Sequence, residues 1–123
     1  MAYVDDTIRD DGLQSGADNI NKIVICSQAP ATFAEANATY ALGSKTSPTV
    51  SNPQDRSGGG REIEISAFTD GSVTATGTAT HWAALDTVNS VLVAWGTLAS
   101  SQVVTNGNTW ELDAQQIGIP DAA

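Results

Sequence analysis

The sequence is poor in the side chains on which most site chemistry rests. Its 123 residues include one cysteine, Cys26, and one histidine, His81. A multi-histidine zinc site and a structural metal shared between thiolates are excluded on those counts. Cys26 ends the apolar run Ile23-Val24-Ile25 and reads as a small buried hydrophobe in a chain made in a reducing compartment. Cations are scarce as well: Arg9, Lys22, Lys45, Arg56 and Arg61 stand against 14 acidic residues, for a net charge of -9. Binding to DNA or RNA depends on basic groups that displace counterions from phosphates, so nucleic acid is not an expected partner. No stretch reaches the ~18 apolar residues of a membrane span. The start, MAYVDDTIRDDG, has neither the basic nor the apolar region of a secretory signal. The expectation is a soluble protein with no membrane partner.

A chain of this length matches one domain with one core. Hydrophobic residues make up 41% and charged residues only 15%, so the surface is polar through hydroxyls and amides, a composition that favours short strands and turns. Residues 1 to 20 place Tyr3, Val4, Ile8 and Leu13 loosely on one helical face, with Asp5, Asp6, Asp10 and Asp11 suited to a helix N-terminus. They read as a short helix or helix-like arm whose length Gly12 and Gly16 limit. A strand follows over 22 to 27. Thr32 and Glu35 have the spacing of a capping box ahead of a two-turn helix that ends near Gly43. From 44 to 60 periodicity is lost in a long polar loop with Pro48, Pro53 and Gly58-Gly59-Gly60.

Residues 61 to 119 read as an antiparallel β-meander. Ile63 and Ile65 alternate with Glu62 and Glu64 up to a hairpin signal at Asp70-Gly71. Val73, Ala75, Gly77 and Ala79 then alternate with four threonines, and such small inward residues imply a closely packed neighbour. Val91 to Leu98 is a strand, Asn106-Gly107-Asn108 a turn, and Trp110, Leu112 and Ala114 an inward face. The fold class is mainly β, an antiparallel sandwich or partly closed barrel with one or two short N-terminal helices.

The candidate chemistries each meet a plainer reading. No G-x-S-x-G elbow accompanies His81, which sits in a strand next to Trp82 and reads as packed. The N-terminal aspartates lack the order of a calcium loop. Glu62 and Glu64 lie ~7 Å apart on one strand face, within reach of a glycosidase pair, yet read as ordinary sheet surface. The triple glycine lacks the lysine of a phosphate loop and reads as a hinge. Trp82, Trp95 and Trp110 read as core, with truncation of Trp95 or Trp110 expected to destabilise strongly. No enzyme centre, metal or cofactor is expected.

Four stretches carry a resemblance: Ile25 to Pro30 (ICSQAP), Thr39 to Gly43 with Lys45-Thr46, Thr69 to Ala83 (TDGSVTATGTATHWA) and Ser101 to Thr109 (SQVVTNGNT). In this order they resemble small structural proteins from the virion-morphogenesis blocks of tailed bacteriophages and prophages. The resemblance implies an accessory protein on the outer surface of the head, of the decoration, cement or head-spike base type. It would be made in the bacterial cytoplasm and would bind the major capsid protein and itself, with a trimer as the first expectation. A tail or head-fibre component, a carbohydrate- or receptor-binding module and a minor hydrolase are the alternatives. The expected contact segments are residues 1 to 20 and 44 to 60, and the expected contact residues Tyr3, Arg9, Lys45, Arg56 and Arg61, because a net acidic protein docking on a protein shell would use its few cations.

Overall fold

The computed structural model describes the chain from Asp6 to Ile119, with side chains from Asp10 onward. One helix, α1 (Asp6–Asn19), precedes nine strands: β1 (Lys22–Cys26), β2 (Ala41–Thr46), β3 (Gln54–Asp55), β4 (Arg61–Ile65), β5 (Phe68–Val73), β6 (Gly77–Asp86), β7 (Val91–Val104), β8 (Thr109–Leu112) and β9 (Gln115–Ile119). Six of them form a curled antiparallel sheet, a half-barrel, in the order β7-β6-β1-β2-β5-β8. The other three form a small sheet, β3-β4-β9. The fold is therefore mainly β, as the alternating patterns require.

β1 takes the middle of the large sheet because Ile23, Val24, Ile25 and Cys26 are apolar on both faces, and a strand buried on both faces loses its polar alternation. Ile23 and Ile25 point into the half-barrel with Leu42, Val73, Ala79, Trp82 and Trp110. Val24 and Cys26 point outward, where Ala36, Phe33 and Tyr40 cover them. The cover comes from the excursion between β1 and β2. There Glu35 does act in capping, since its amide donates to Thr32 Oγ1 (3.2 Å) and its carboxylate accepts from the Ala31 amide (2.8 Å). The helix that follows covers residues 33 to 39, closing with π-type pairing over Glu35–Thr39. It ends short of the expected Gly43 because Leu42 and Gly43 are taken up by β2, where Gly43 pairs with both Ile25 and Val73.

Of the two forms expected for residues 1 to 20, the described part takes the helical one, over Asp6–Asn19. α1 continues through Gly12 and Gly16 and buries Leu13, with Ala17 packed on the core, and Ile20 is buried just past its end. Burying two large side chains contributes ~3 to 6 kcal/mol, more than the ~1 kcal/mol that each helical glycine costs.

The long loop expected over 44 to 60 also carries structure. Its start belongs to β2, Val50 bridges to Ile65, and β3 pairs with β4. Gly58, Gly59 and Gly60 all adopt positive φ, at 88°, 103° and 98°. They form the tight turn of the β3–β4 hairpin, in which the Arg56 amide donates to the Gly60 carbonyl at 3.0 Å. That backbone region favours glycine, so the triple glycine is a fixed turn where a hinge was expected.

The expected meander divides between the two sheets. β4 joins β9 in the small sheet while β5 joins β2 and β8 in the large one. Asp70-Gly71 lies within β5 and makes no hairpin. Gly71 serves a close approach instead, because a Cβ there would lie 2.4 Å from Trp110 Cε2. The indole of Trp110 rests across Gly71 and Gly43 on neighbouring strands, with Phe68 edge-on at 4.9 Å. The face of Val73 and Ala79 is inward, as the alternation indicates.

β7 runs to Val104, well past the expected end at Leu98. Its pairing with β6 slips twice, between Ala84 and Leu85 and between Ala79 and His81. At the first slip both Val93 and Ala94 lie between the paired residues Leu92 and Trp95, against Ala84 alone. Such bulges bend an edge strand and change which side chains face the core. Trp95, expected in the core, is consequently 48% exposed, whereas Trp82 and Trp110 are buried.

Candidate functional site

The cations named from sequence do not form one patch. Tyr3 lies outside the described residues, and so does the side chain of Arg9, which falls in α1. Lys45 on β2 bonds Asp70 on β5 at 3.0 Å and lies 5.9 Å from the centre of the Phe68 ring. Its hydrogen bond holds the Asp70 carboxyl below the usual range. Arg56, in the β3–β4 turn, donates to the Gly59 carbonyl at 3.0 Å and packs against Gly118 of β9.

Arg61, at the start of β4, grips Asp10 of α1 with two nitrogens (2.7 and 3.3 Å) and bonds Asp55 of β3 through a third. The Asp10 hydrogen bond, with Asp55 adding to it, raises the guanidinium pKa further. This planar fork ties the helix to the small sheet. Arg56 and Arg61 therefore share one end of the molecule, and Lys45 lies on the other sheet. Lys22, the remaining cation, donates to Asn37 Oδ1 at 2.9 Å. All four described cations thus hold parts of the chain together.

The residues considered for chemistry are similarly engaged. Glu62 and Glu64 accept from Gln54 and Gln116 of the flanking strands, at 3.2 and 2.8 Å. His81 Nδ1 lies 2.8 Å from Thr80 Oγ1, and its ring tilts against Trp95 at 5.6 Å. Burial pushes the Cys26 thiol up to about 11, so the thiol is protonated and inert at neutral pH. Among the described residues no group of three or more His, Cys, Asp or Glu side chains is placed to hold a metal ion, and no helix is long and apolar enough to cross a membrane.

The unsatisfied surface lies elsewhere, on β7 and beside it. β7 is an edge of the large sheet, has 14 residues, and contains neither a charge nor a proline. Natural edge strands are commonly blunted by just those residues. It also exposes Val91, Trp95 and Val103. On the outer face Trp95 pairs beside the buried Ala83, at the margin of the cluster that Phe33 and Tyr40 cover. A groove of about 460 Å³ separates the start of β7 from the polar side of α1, lined by Ser15, Asn19, Asn89 and Val91.

A second feature arises where the curled sheet fails to close. β7 and β8 are the two ends of the strand order, yet the turn Thr105–Asn108 joins them and they line the same clefts. One cleft, of about 200 Å³, adjoins Val103 and Thr109. The other, of about 190 Å³, adjoins Leu98, Glu111 and Asp113. Between them Gln102 Nε2 reaches the Glu111 carbonyl at 3.4 Å. Sequence reasoning missed this seam, because a turn signal between two strands ordinarily means that they pair.

Comparison of the chain with protein-family models, curated proteins and solved structures gives no match.

Proposed function

We propose that the chain is a non-catalytic structural component of a tailed-phage virion, a decoration or cement protein that sits on the outside of the head and bridges capsid subunits. The observation that carries this reading is β7, a long uncharged edge strand with exposed Val91, Trp95 and Val103. Such a strand offers backbone hydrogen bonds and apolar area to another protein and brings no reactive group. The four stretches that resemble virion proteins overlap β1, β2, β5 with β6, and the end of β7 with its turn, all elements of the large sheet.

The described cations serve the fold, so this reading moves the contact from Lys45, Arg56 and Arg61 to β7. A cement protein acts through many copies, each adding a modest contact across a subunit boundary. Purified heads from a particle that carries this chain test the proposal. We expect the chain on the head surface at a fixed ratio to the major capsid protein, and at least tenfold lower occupancy for a folded W95K/V103K variant. Absence from heads overturns the virion reading, and full occupancy of the variant overturns the placement on β7.

The Trp95–His81 pair favours one second reading, a carbohydrate- or receptor-binding module, since an exposed indole is a natural sugar platform. Saturable quenching of Trp95 fluorescence by a glycan, lost in W95A, would establish it.

A further inference from the structure

We infer that the open seam between β7 and β8 accepts an extended, lysine- or arginine-bearing segment of a different protein, which joins the large sheet as an added strand. The two lips are the end strands of one curled sheet. Each therefore has a row of backbone N–H and C=O groups without a neighbouring strand. Among the described hydrogen bonds the lips are linked by Gln102 Nε2 to the Glu111 carbonyl, at 3.4 Å. A side chain stands there in place of a strand.

The direction of the backbone on β8 follows from that contact. The N–H and C=O of one strand residue point to the same edge, so Glu111, and Thr109 two residues before it, present theirs to the seam. Asn108 accepts from the Val73 amide at 2.9 Å, so it, and Trp110 and Leu112 in alternation with it, direct theirs toward β5. Sheet-edge addition uses such a row of free groups for affinity and the flanking side chains for specificity.

Charge selects the occupant. Glu111 and Asp113 rim the cleft, both are exposed, and no lysine or arginine lines it. An arriving strand with a cation beside either carboxylate is attracted, and an acidic one is repelled. A second copy of this chain is a poor candidate, because β7 is uncharged and the four described cations are held internally. The incoming strand runs antiparallel to β8, the stronger of the two pairings, and displaces Gln102.

The test uses the full chain and a synthetic peptide of about ten residues that alternates valine with lysine or threonine, against the same peptide with glutamate for lysine. Amide exchange is followed residue by residue. We expect the lysine peptide to slow exchange at Thr109 and Glu111 at least tenfold and saturably, and the glutamate peptide to bind at least tenfold more weakly. The folded E111K/D113K variant reverses that preference. Equal binding of both peptides, protection confined to Val91–Thr97, or no protection at millimolar peptide would overturn the inference. The assay involves no phage particle, so its failure and the absence of the chain from heads are separate results.

Discussion

The close approach of Trp110 to two glycines allows a double-mutant cycle worked from the structure. Trp110 is 3% exposed, and its Nε1 reaches the Ser44 carbonyl at 3.4 Å. A buried indole removes ~150 to 250 Å² from water, which at ~25 cal/mol per Å² is worth ~4 to 6 kcal/mol. Since alanine retains its Cβ, W110A should cost ~3 to 5 kcal/mol, a large share of the ~5 to 15 kcal/mol of a typical domain. G71A places a methyl 2.4 Å from the ring, and displacing it should cost ~1 to 3 kcal/mol. In the W110A background that clash is gone, so the double variant should be no less stable than W110A alone. The resulting coupling is at least ~1 kcal/mol. Equilibrium urea unfolding followed by far-UV circular dichroism measures all four proteins. Additivity within ~0.5 kcal/mol, or a W110A cost below ~1 kcal/mol, would refute the packing account.

Three further expectations follow from other elements. W95A should change stability by less than ~1 kcal/mol, as surface substitutions do, and should remove most of the acrylamide-accessible fluorescence; a cost near that of W110A would put Trp95 back in the core. Asp86 accepts hydrogen bonds from the Val88 and Asn89 amides and from Asn89 Nδ2, which hold its carboxyl below the usual range, the Asn89 side chain contributing most. Because the folded-state pKa is depressed, the stabilisation is complete above the unfolded value of ~3.9 and is lost as pH falls through the folded value. The gap between wild type and D86N in urea melts should therefore be flat from neutrality to about pH 5 and close below about pH 4; a gap unchanged to pH 2 contradicts this. Finally, Cys26 should react with a thiol reagent at pH 8 only as fast as the sheet opens, with a rate that rises with urea, and immediate stoichiometric labelling would show that it is not buried.

The sequence exposes those parts of the fold that depend on local pattern. The apolar run of β1, the inward face of Val73 and Ala79, and the burial of Trp110 each follow from residue type and period. The failures share a cause, namely a partner distant in the chain. Asp70-Gly71 has the chemistry of a turn, but Trp110 decides its use. Trp95 has the alternation of a core residue, but the bulge at Val93-Ala94 and the limit of the cover from Phe33 and Tyr40 decide its exposure. The cations were visible as residues, whereas the pairing of Arg61 with Asp10 depends on the packing of α1 against β4. The seam had no local signal at all, since it results from the curl of six strands.

The strand order also bears on how quickly the chain folds. β1 pairs with β6, Lys22 opposite Leu85, and β4 with β9, Arg61 opposite Ile119, so each sheet is completed by pairings between strands far apart in sequence. Chains dominated by such distant pairings fold in roughly milliseconds to seconds, because loop closure precedes the contacts that reward it. The β6–β7 hairpin, closed by the short turn after Asp86, is local and can form in ~1 to 10 μs. During synthesis β1 emerges long before β6, and its Ile23, Val24 and Ile25 stay open to water or to other nascent chains. Crowded translation of many copies would expose that waiting strand to the most neighbouring nascent chains. Its capture by β6 is the step at which slower elongation or a higher temperature would first cost soluble product.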